Sequence, residues 1–346
     1  MRKFKIEDTN IGDGCPCYII AEIGGNFKTF EEAKELIDAA KYSGSNAVKL
    51  QTFKADTLAS KKAKYQMENT GNVSQYDLFK EYEIGKELHE KVYKYSKDLG
   101  LNIFSTPSHE DDLAMLESIG TNVYKIGSDD SNNLNFITKV ASLQKPIIVA
   151  TGMCTLKEVD EIVDAISKTG NDNFAILHAI TSYPTEYDIA NLNVIKTFKN
   201  RYPGVVIGYS DHTIGMQCSL AARTIGADII ERHFTMDRNA EGPDHILSSD
   251  PEEMKFLVDS IRIVEKALGT GNKMPVKQEV INRNNNRKSI VVKNNLRKGM
   301  TISNENICVK RPGYGIEASK FNSILGLTVN KDLAIDEVIT WNDIGE

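Results

Sequence analysis

The sequence lacks the features that would assign it to a specialised class of protein. Among its 346 residues, no apolar run approaches the roughly 18 residues that a membrane-spanning helix needs. The first residues, MRKFKIEDTN, include basic side chains but lack the apolar region of a signal peptide. The five cysteines are odd in number and match no C-x₂-C zinc pattern, so we expect reduced, mostly buried thiols. These absences predict a cytoplasmic protein without a membrane partner.

An excess of positive charge is also missing. The chain has 42 Lys and Arg against 48 Asp and Glu, which gives a formal net charge of −6. A nucleic-acid-binding domain usually carries a basic face or stripe, so we expect no nucleic acid as partner. The most basic stretch, residues 283–298, is mixed with asparagine and is interpreted as solvated linker. With 40% hydrophobic and 26% charged residues, the composition is that of an ordinary globular protein.

The first two-thirds of the chain repeat a short apolar run followed by an amphipathic stretch. The predicted strands are residues 18–26, 46–53, 101–107, 123–128, 146–152, 174–181, 205–211 and 228–235. The predicted helices are residues 30–43, 85–99, 111–119, 135–143, 156–168, 193–201, 216–225 and 251–268. Eight strand–helix units in about 250 residues predict an α/β fold, a TIM (β/α)8 barrel. A doubly wound sheet is the alternative, but its G-x-G-x-x-G turn is absent after the first run.

Two segments lie outside this repeat. Residues 54–84 are too long for an ordinary connection, and we expect them to cover the mouth of the barrel. Residues 271–286 are predicted to be a linker between a barrel domain at 1–270 and a small, mostly-β domain at 287–346. Because a domain of about 60 residues has a marginal core, we expect the small domain to pack on another surface.

Polar residues are concentrated at the predicted strand ends, where the active site of a TIM barrel lies. His212 and His233 end two consecutive strands. Neighbouring strands lie about 4.8 Å apart, so both imidazoles could reach one ion. Imidazole suits Zn, Fe, Mn or Co, and two protein ligands leave positions open for substrate. The alternative is that both histidines are satisfied polar residues with a structural role.

The other histidines have less specific contexts. His178 lies in the middle of a predicted strand and is expected to pack in the core. His89 and His109 are expected at the surface or in loops. His245, in the sequence GPDH, is either a lining residue of the mouth or a structural one.

Lys49 and Lys125 point to an anionic ligand. A lysine on a barrel strand can form a Schiff base, or it can hold phosphate or carboxylate as a point charge. Two lysines, with Ser128 and Ser210 nearby, favour a phosphorylated ligand, because a Schiff base needs only one lysine. The alternative is that the ammonium groups only neutralise carboxylates.

Four carboxylates could transfer protons, bind sugar hydroxyls or support metal-bound histidine: Glu22, Asp130, Glu231 and Asp244. Glu22 and Glu231 stand out because each lies within an otherwise apolar strand. Arg311 belongs to the small domain and by context resembles a turn residue at the surface.

These residues lie in motifs that resemble one enzyme family. AEIGGN, VKLQTF, FSTP, YKIGS, ATGM, YPT, GYSDHT, ERHFT and GPDH occur in this order, followed by RKSIVV and KRPGYG. Together they resemble the sialic acid synthases, which include the N-acetylneuraminate, legionaminate and pseudaminate synthases. The likeness covers nearly the whole chain, and the C-terminal part resembles the antifreeze-like (SAF) domain of that family.

The resemblance implies a reaction in which phosphoenolpyruvate condenses with the open-chain aldehyde of an N-acetylated hexosamine, such as N-acetylmannosamine. The products are a nine-carbon 2-keto acid and phosphate, released by C–O cleavage. A divalent cation, Mn²⁺ with Mg²⁺ or Co²⁺ as alternatives, would polarise the aldehyde oxygen. Alternatives are a 2,4-diacetamido-trideoxyhexose as substrate, giving N,N'-diacetyllegionaminic or pseudaminic acid, a Schiff-base pyruvate aldolase, and a non-catalytic sugar-binding protein.

Matched motif by motif, the resemblance also assigns roles to residues. It implies His212 and His233 as metal ligands, and Glu22 and Asp130 as catalytic carboxylates. The residues implied to hold phosphoenolpyruvate are Lys49, Lys125, Ser128 and Ser210. Those implied around the sugar are Glu22, Gln51, Tyr183 and Asp244, with Thr181 and Glu231 also in the substrate site. Arg311 would reach the N-acetyl group in the barrel of the partner subunit, which implies a homodimer with exchanged SAF domains.

The sequence departs from the family pattern in three places. Ala150 stands where serine is frequent before TGM, and Thr181 stands where asparagine is frequent. Residues 127–130 read GSDD where the family often has GSGE, so the side chain of Asp130 is one methylene shorter. All three places are expected near ligands and could signal a different sugar.

Overall fold

The structure, a computed structural model, describes residues 2–67, 71–242 and 244–345. The chain divides into two compact units, Met1–Gly269 and Thr270–Glu346. Within the described ranges, no helix is long and apolar enough to cross a membrane.

The first unit is built around parallel strands. Its described strands are β1 (Lys3–Ile6), β2 (Thr9–Gly12), β3 (Tyr18–Glu22), β4 (Ala47–Thr52), β5 (Lys64–Met67), β6 (Gly71–Ser74), β7 (Asn102–Pro107), β8 (Tyr124–Ile126), β9 (Ile147–Ala150), β10 (Phe174–Ala179), β11 (Val206–Asp211) and β12 (Ile229–His233). Eight of them close into a barrel in the order β3-β4-β7-β8-β9-β10-β11-β12, and β12 pairs with β3. Each of the eight lies within one predicted run, so the prediction of a TIM barrel is confirmed.

Helices follow the barrel strands. The described helices of this unit are α1 (Phe30–Ser43), α2 (Ala55–Leu58), α3 (Gln75–Tyr82), α4 (Lys86–Asp98), α5 (Glu110–Ser118), α6 (Leu134–Ala141), α7 (Leu156–Ser167), α8 (Asn193–Arg201), α9 (Gln217–Thr224) and α10 (Pro251–Leu268). Helices α1, α8 and α10 have the predicted bounds, and α1 and α10 each start at a capping box. At α1, Thr29 Oγ1 accepts from the Glu32 backbone N–H (3.3 Å), and the Glu32 carboxylate accepts from the Thr29 backbone N–H (3.0 Å).

The barrel interior is apolar at its amino-terminal end. Buried side chains of β3, β4, β7, β9, β10, β11 and β12 form one cluster there with Phe4, Ile6 and Ile11 of the β1–β2 hairpin. The hairpin was not predicted, although the alternation in KFKI, with Phe4 and Ile6 buried, is typical of a half-buried strand. Because apolar side chains fill this end, the polar residues of the interior lie at the carboxyl end.

The long segment after β4 contains α2, the β5–β6 hairpin and α3, with residues 68–70 outside the described ranges. It lies at the carboxyl side of the barrel, where it reaches two of the strand–helix loops. The Glu81 carboxylate accepts from Lys28 after β3 (2.6 Å), and the Tyr82 hydroxyl donates to the Glu241 carbonyl after β12 (3.3 Å).

The second unit is small and mostly irregular, with a compact apolar core. Its described α-helix and strands are α11 (Lys277–Asn286), β13 (Ser289–Val292), β14 (Ile307–Lys310), β15 (Thr328–Val329) and β16 (Ile344–Gly345). Strands β13–β14 and β15–β16 pair antiparallel, and short 3₁₀ helices lie at Ala318–Ser323 and Trp341–Asp343. The segment predicted as a linker, residues 271–286, therefore contains a helix. All side chains of this segment are exposed, so no apolar periodicity marked the helix in the sequence.

Candidate active site

The register of the barrel brings the candidate residues together at the carboxyl ends of its strands. Glu22 of β3 lies beside both Lys49 of β4 and His233 of β12, and Ser210 of β11 lies beside Glu231 of β12. Since side chains alternate between the two faces of a strand, these residues share the inner face. The polar residues that the sequence places on separate strands therefore form one cluster in the structure.

Two lysines and two glutamates form a buried charge cluster at this end. Lys49 forms an ion pair with Glu22, and its Nζ lies 3.9 Å from Oε1 of Glu231. The same Glu231 oxygen accepts from Lys125 Nζ (3.2 Å) and from the hydroxyl of Ser210 (3.1 Å). The four charged residues are at most 5% exposed. The two positive charges are thus matched by two negative charges that hold the lysines in place.

Burial and charge pairing set the protonation of this cluster. Burial by itself would lower the pKa of Lys49, but the carboxylates of Glu22 and Glu231 outweigh it and raise that pKa. Burial would raise the pKa of Glu231, but the two ammonium groups outweigh it and lower that pKa. Burial dominates at the other two residues, raising the pKa of Glu22 and lowering that of Lys125. Lys49 and Glu231 are therefore held in their charged forms.

His212 and His233 lie beside the charge cluster with ring centroids 5.5 Å apart. Burial lowers the pKa of both, and for His233 the neighbouring His212 lowers it further. The Nδ1 of His212 lies 2.7 Å from the carbonyl of Ile180, which fixes Nδ1 as the protonated nitrogen and leaves Nε2 with its lone pair. The ring of Tyr183 lies 4.3 Å from that of His212. Two neutral imidazoles are the form that binds a metal ion.

Several buried polar atoms around this end have no hydrogen-bond partner among the described residues. They are Oδ1 of Asn26, Oδ2 of Asp130, Oγ1 of Thr181, Oε2 of Glu231 and Nδ1 of His233. Buried polar atoms in proteins almost always have partners. The concentration of these atoms at one end of the barrel indicates a site that binds a polar ligand.

Two glycines make room for functional side chains. A Cβ at Gly152 would lie 2.7 Å from the hydroxyl oxygen of Ser128 and would clash with that of Thr181. The Ser128 hydroxyl also accepts from the backbone N–H of Gly152 (3.0 Å). A Cβ at Gly24 would lie 2.7 Å from Cγ of Gln51 and would clash with Glu22. Any larger residue at either position would displace side chains that are predicted to belong to the site.

Two further carboxyl groups have pKa values near neutrality. Burial, assisted by Asp129, raises the pKa of Asp130 to about 6. Burial, assisted by Glu22, raises the pKa of Asp244 to about 7. The Asp244 carboxylate lies 3.5 Å from Nδ1 of His233. Both groups are suited to transfer protons at neutral pH.

Comparison with known proteins assigns this arrangement to a family. Residues 36–273 match the model of the NeuB family, and residues 287–345 match the SAF domain. The chain belongs to the NeuB family. The predicted membership of the sialic acid synthases, with a TIM barrel followed by a SAF domain, is thereby confirmed.

Individual members of the NeuB family agree with this assignment. The N,N'-diacetyllegionaminic acid synthase of Legionella pneumophila is 40% identical over 342 residues, with 96% of each chain covered. The synthase of the same name from Campylobacter jejuni is 38% identical over 328 residues, covering 93% of this chain and 98% of the other. The crystal structure of N-acetylneuraminic acid (sialic acid) synthetase from Leptospira borgpetersenii superposes with a TM-score of 0.74 at 31% identity, covering 81% of this chain and 95% of the other. The chain is therefore an enzyme of the nonulosonic acid synthase family.

Within this NeuB-family barrel, all the predicted site residues of the first unit lie at the carboxyl end. Asp130 is half-buried in the loop after β8, and Tyr183 and Thr181 follow β10. Arg311 differs, because it lies in the second unit, where its side chain is exposed. Its predicted role therefore depends on the assembly of chains.

One histidine prediction was wrong. His89 was expected at the surface or in a loop, but it is fully buried on the inner face of α4. Its Nε2 lies 2.9 Å from the Thr52 hydroxyl and its Nδ1 lies 3.0 Å from the Gly85 carbonyl. Both ring nitrogens thus have partners, which allows a polar residue on a buried helix face.

Two of the remaining histidines agree with expectation. His178 is buried with its Nε2 2.9 Å from the Ala190 carbonyl, so its structural role is confirmed. His109 is at the surface, where its side chain caps α5. His245 is buried, and its Nδ1 lies 2.7 Å from the Thr235 hydroxyl.

The sequence reasoning missed one residue in the site. Thr106, in the FSTP motif at the end of β7, is buried and accepts from Lys49 Nζ (3.3 Å). Its register partner on β4 is Gln51. The signal was its position at a strand end, two residues after the interior residue Phe104.

Proposed function

We propose that this protein condenses phosphoenolpyruvate with the open-chain aldehyde of an N-acetylated hexosamine. C3 of phosphoenolpyruvate bonds to the aldehyde carbon, the oxygen of a water molecule adds at C2, and phosphate leaves with cleavage of its C–O bond. The observation that carries the proposal is the buried cluster of two lysines and two glutamates directly beside two neutral histidines. Such a site can bind an anionic substrate at the lysines and an electrophilic substrate beside the histidines.

The anionic substrate is proposed to bind at Lys49, Lys125, Ser128 and Ser210. Lysine ammonium groups are compact positive charges suited to phosphate and carboxylate. Both ammonium groups are already fixed by Glu22 and Glu231, so little ordering is needed when the anion binds.

The electrophile is proposed to bind beside His212 and His233, which would hold a divalent cation, with Mn²⁺ the first candidate and Mg²⁺ or Co²⁺ the alternatives. No group of three or more His, Cys, Asp or Glu suited to a metal ion occurs in the described ranges, so these two imidazoles are the proposed protein ligands. When bound, the cation supplies a Lewis acid for the aldehyde oxygen. Glu22 and Asp130 are the proposed catalytic carboxylates, and Asp130 is half-buried with a pKa of about 6.

The sugar is proposed to be a 2,4-diacetamido-2,4,6-trideoxyhexose rather than N-acetylmannosamine, with Gln51, Tyr183, Thr181, Glu231 and Asp244 around it. Support comes from the names of the relatives at 40% and 38% identity. The departures at Ala150, Asp130 and Thr181 lie at the carboxyl end of the barrel, and they support a sugar with an altered substituent.

A panel of sugars tests this choice. With phosphoenolpyruvate and Mn²⁺, phosphate release is expected to be at least about 10-fold faster with the 2,4-diacetamido-trideoxy-mannose than with N-acetylmannosamine or the altrose isomer, since the pocket must fit the second acetamido group. Omitting Mn²⁺ after chelation and omitting sugar are the controls. Faster turnover of N-acetylmannosamine would contradict the proposed sugar, and borohydride trapping of pyruvate on the protein would favour an aldolase instead.

The active unit is proposed to be a homodimer in which the SAF domain, residues 287–346, covers the barrel, residues 1–270, of the partner. Four loops at the carboxyl end expose apolar side chains: Met153 after β9 (68%), Tyr187 after β10 (60%), Ile214 after β11 (44%) and Ile246 after β12 (52%). Exposed apolar groups arranged around one site favour a covering partner. Arg311 of the partner subunit would then reach the N-acetyl group. A cytoplasmic location is part of the proposal, since all five cysteines are free.

Co-expressing two complementary variants, assayed at a sugar concentration well below the KM of Arg311→Ala, tests the exchange. Arg311→Ala is expected to raise the KM for sugar with little change in the KM for phosphoenolpyruvate, and His212→Ala is expected to be inactive. In an exchanged heterodimer of the two, one barrel keeps His212 and receives the partner's Arg311, so co-expression should restore about a quarter of wild-type sites. No restored activity, or an Arg311→Ala variant with wild-type KM, would contradict the exchange.

A further inference from the structure

A buried ion pair lies on the opposite side of the two strands that carry the histidines. Asp211 precedes His212 and Arg232 precedes His233, so their side chains point toward the helices when the histidines point into the barrel. Asp211 and Arg232 are register partners on β11 and β12, and each is 1% exposed. Arg232 is the largest fully buried side chain of the described residues.

The guanidinium group of Arg232 makes contacts with three segments. Its Nη1 donates to Asp211 Oδ2 (2.8 Å) and its Nε donates to the hydroxyl of Ser249 (2.8 Å). Its Nη2 donates to the carbonyls of Thr213 (3.0 Å) and Leu247 (3.5 Å). These partners lie on β11, in the loop after it, and in the segment after Asp244.

The partners of Arg232 are themselves bonded to the segments around the two histidines. The backbone N–H of Ser249 donates to the carbonyl of His233 (2.8 Å). The other oxygen of Asp211 accepts from the backbone N–H of Thr213 (2.9 Å), which directly follows His212. The carbonyl of Asp244 accepts from the hydroxyl of Ser248 (2.7 Å), the residue before Ser249. The side chain of Arg232 is therefore linked both to the backbone that follows His212 and, through Ser249, to the backbone of His233.

We infer that Arg232 and Asp211 are positioning residues that fix the spacing of His212 and His233 for the divalent cation. The inference rests on the proposed function and extends it to residues that do not touch the substrates. A buried ion pair is generally a weak source of stability, because the cost of desolvating both charges offsets their attraction. A planar guanidinium with all three nitrogens engaged instead fixes geometry. Residues that orient metal ligands typically change metal affinity or activity 10- to 100-fold when replaced.

The test separates positioning from stability by removing both charges at once. The double variant Asp211→Asn with Arg232→Met leaves no unpaired buried charge, and it keeps a side-chain oxygen that can accept from the Thr213 N–H. Metal-free protein is titrated with Mn²⁺ and, separately, with phosphoenolpyruvate, and its melting temperature is measured. We expect Mn²⁺ to bind roughly 10- to 100-fold more weakly, with phosphoenolpyruvate affinity within about twofold of wild type. Lys49 and Lys125 lie on other strands, and the hydroxyl of Ser210, although next to Asp211 on β11, donates to Glu231 on the inner face.

A matched pair elsewhere provides the control. Arg201 donates from Nε and Nη2 to the two carboxylate oxygens of Asp160, both at 2.6 Å, on the surface between α8 and α7. The double variant Asp160→Asn with Arg201→Met removes the same chemical groups and should leave Mn²⁺ affinity unchanged. If the first double variant does not fold, Arg232→Lys takes its place, since lysine keeps the charge but cannot engage all the acceptors, and it is expected to weaken Mn²⁺ binding roughly 10-fold.

The outcomes distinguish this inference from the proposed function. Wild-type protein that binds no Mn²⁺, or whose binding is unaffected by His212→Ala, overturns the metal site and with it the positioning role. A wild-type protein with His212-dependent binding, together with folded variants of unchanged Mn²⁺ affinity, overturns only the positioning role. Equal losses of Mn²⁺ and phosphoenolpyruvate binding also overturn it, since they would show general damage to the barrel.

Discussion

Replacement of His212 by alanine is expected to lower turnover by about 10³-fold or more, because one of only two proposed protein ligands of the cation is lost. The His212 ring is fixed by the Ile180 carbonyl and by the ring of Tyr183, which hold it in the site. Phosphate release with saturating substrates and Mn²⁺ measures the effect.

The matched control is His109→Ala, which removes an imidazole from the surface at the start of α5. It should keep nearly wild-type turnover, with at most a small loss of stability from the missing helix cap. Retention of more than about a tenth of wild-type activity by the His212→Ala protein would contradict a ligand role, since a lost metal ligand costs several kcal/mol of transition-state stabilisation.

Replacement of Lys125 by methionine is expected to damage both binding and stability. The KM for phosphoenolpyruvate should rise about 100-fold, because a buried charge pair that faces the anion is lost. Stability should fall by about 3 kcal/mol, because Glu231 stays buried while its contact with Lys125 Nζ (3.2 Å) disappears. Substrate titration and the melting temperature report the two effects independently.

The double variant Lys125→Met with Glu231→Gln separates these effects. Neutralising Glu231 removes the excess negative charge of the buried cluster, so most of the lost stability should return. Phosphoenolpyruvate binding should remain weak, since the positive charge is still absent. If binding returned together with stability, Lys125 would only neutralise carboxylates, which is the alternative that the sequence left open.

The barrel could be predicted because its parallel strands are buried on both faces and appear as apolar runs. Eight runs with helical stretches between them determine the fold class, and strand ends such as Ser210 to His212 then mark the site. The N-terminal hairpin and α11 were missed, since neither has the long periodic pattern that marks an element. The substrates came only from the resemblance to a family, because charge and spacing indicate an anion but no particular one.

Contacts across the chain explain the wrong prediction for His89 and the lack of any prediction for Arg232. His89 lies in a polar stretch of helical sequence, and its burial depends on a hydrogen bond with Thr52, which is 37 residues away. Arg232 depends similarly on Ser249 and on the register of two strands. Local periodicity gives the face of a residue but does not identify its distant hydrogen-bond partners. Buried polar residues with satisfied partners therefore remain the hardest class to predict.

The position of bond cleavage provides the most direct measurement of the proposed reaction. Phosphoenolpyruvate carrying ¹⁸O in the oxygen that bridges C2 and phosphorus is turned over with the 2,4-diacetamido sugar and Mn²⁺, and the products are analysed by mass spectrometry. The proposed C–O cleavage predicts that the label is found in the released phosphate and that the nine-carbon 2-keto acid carries none of it. Label retained in the keto acid, or turnover without phosphate release, would contradict the proposed reaction.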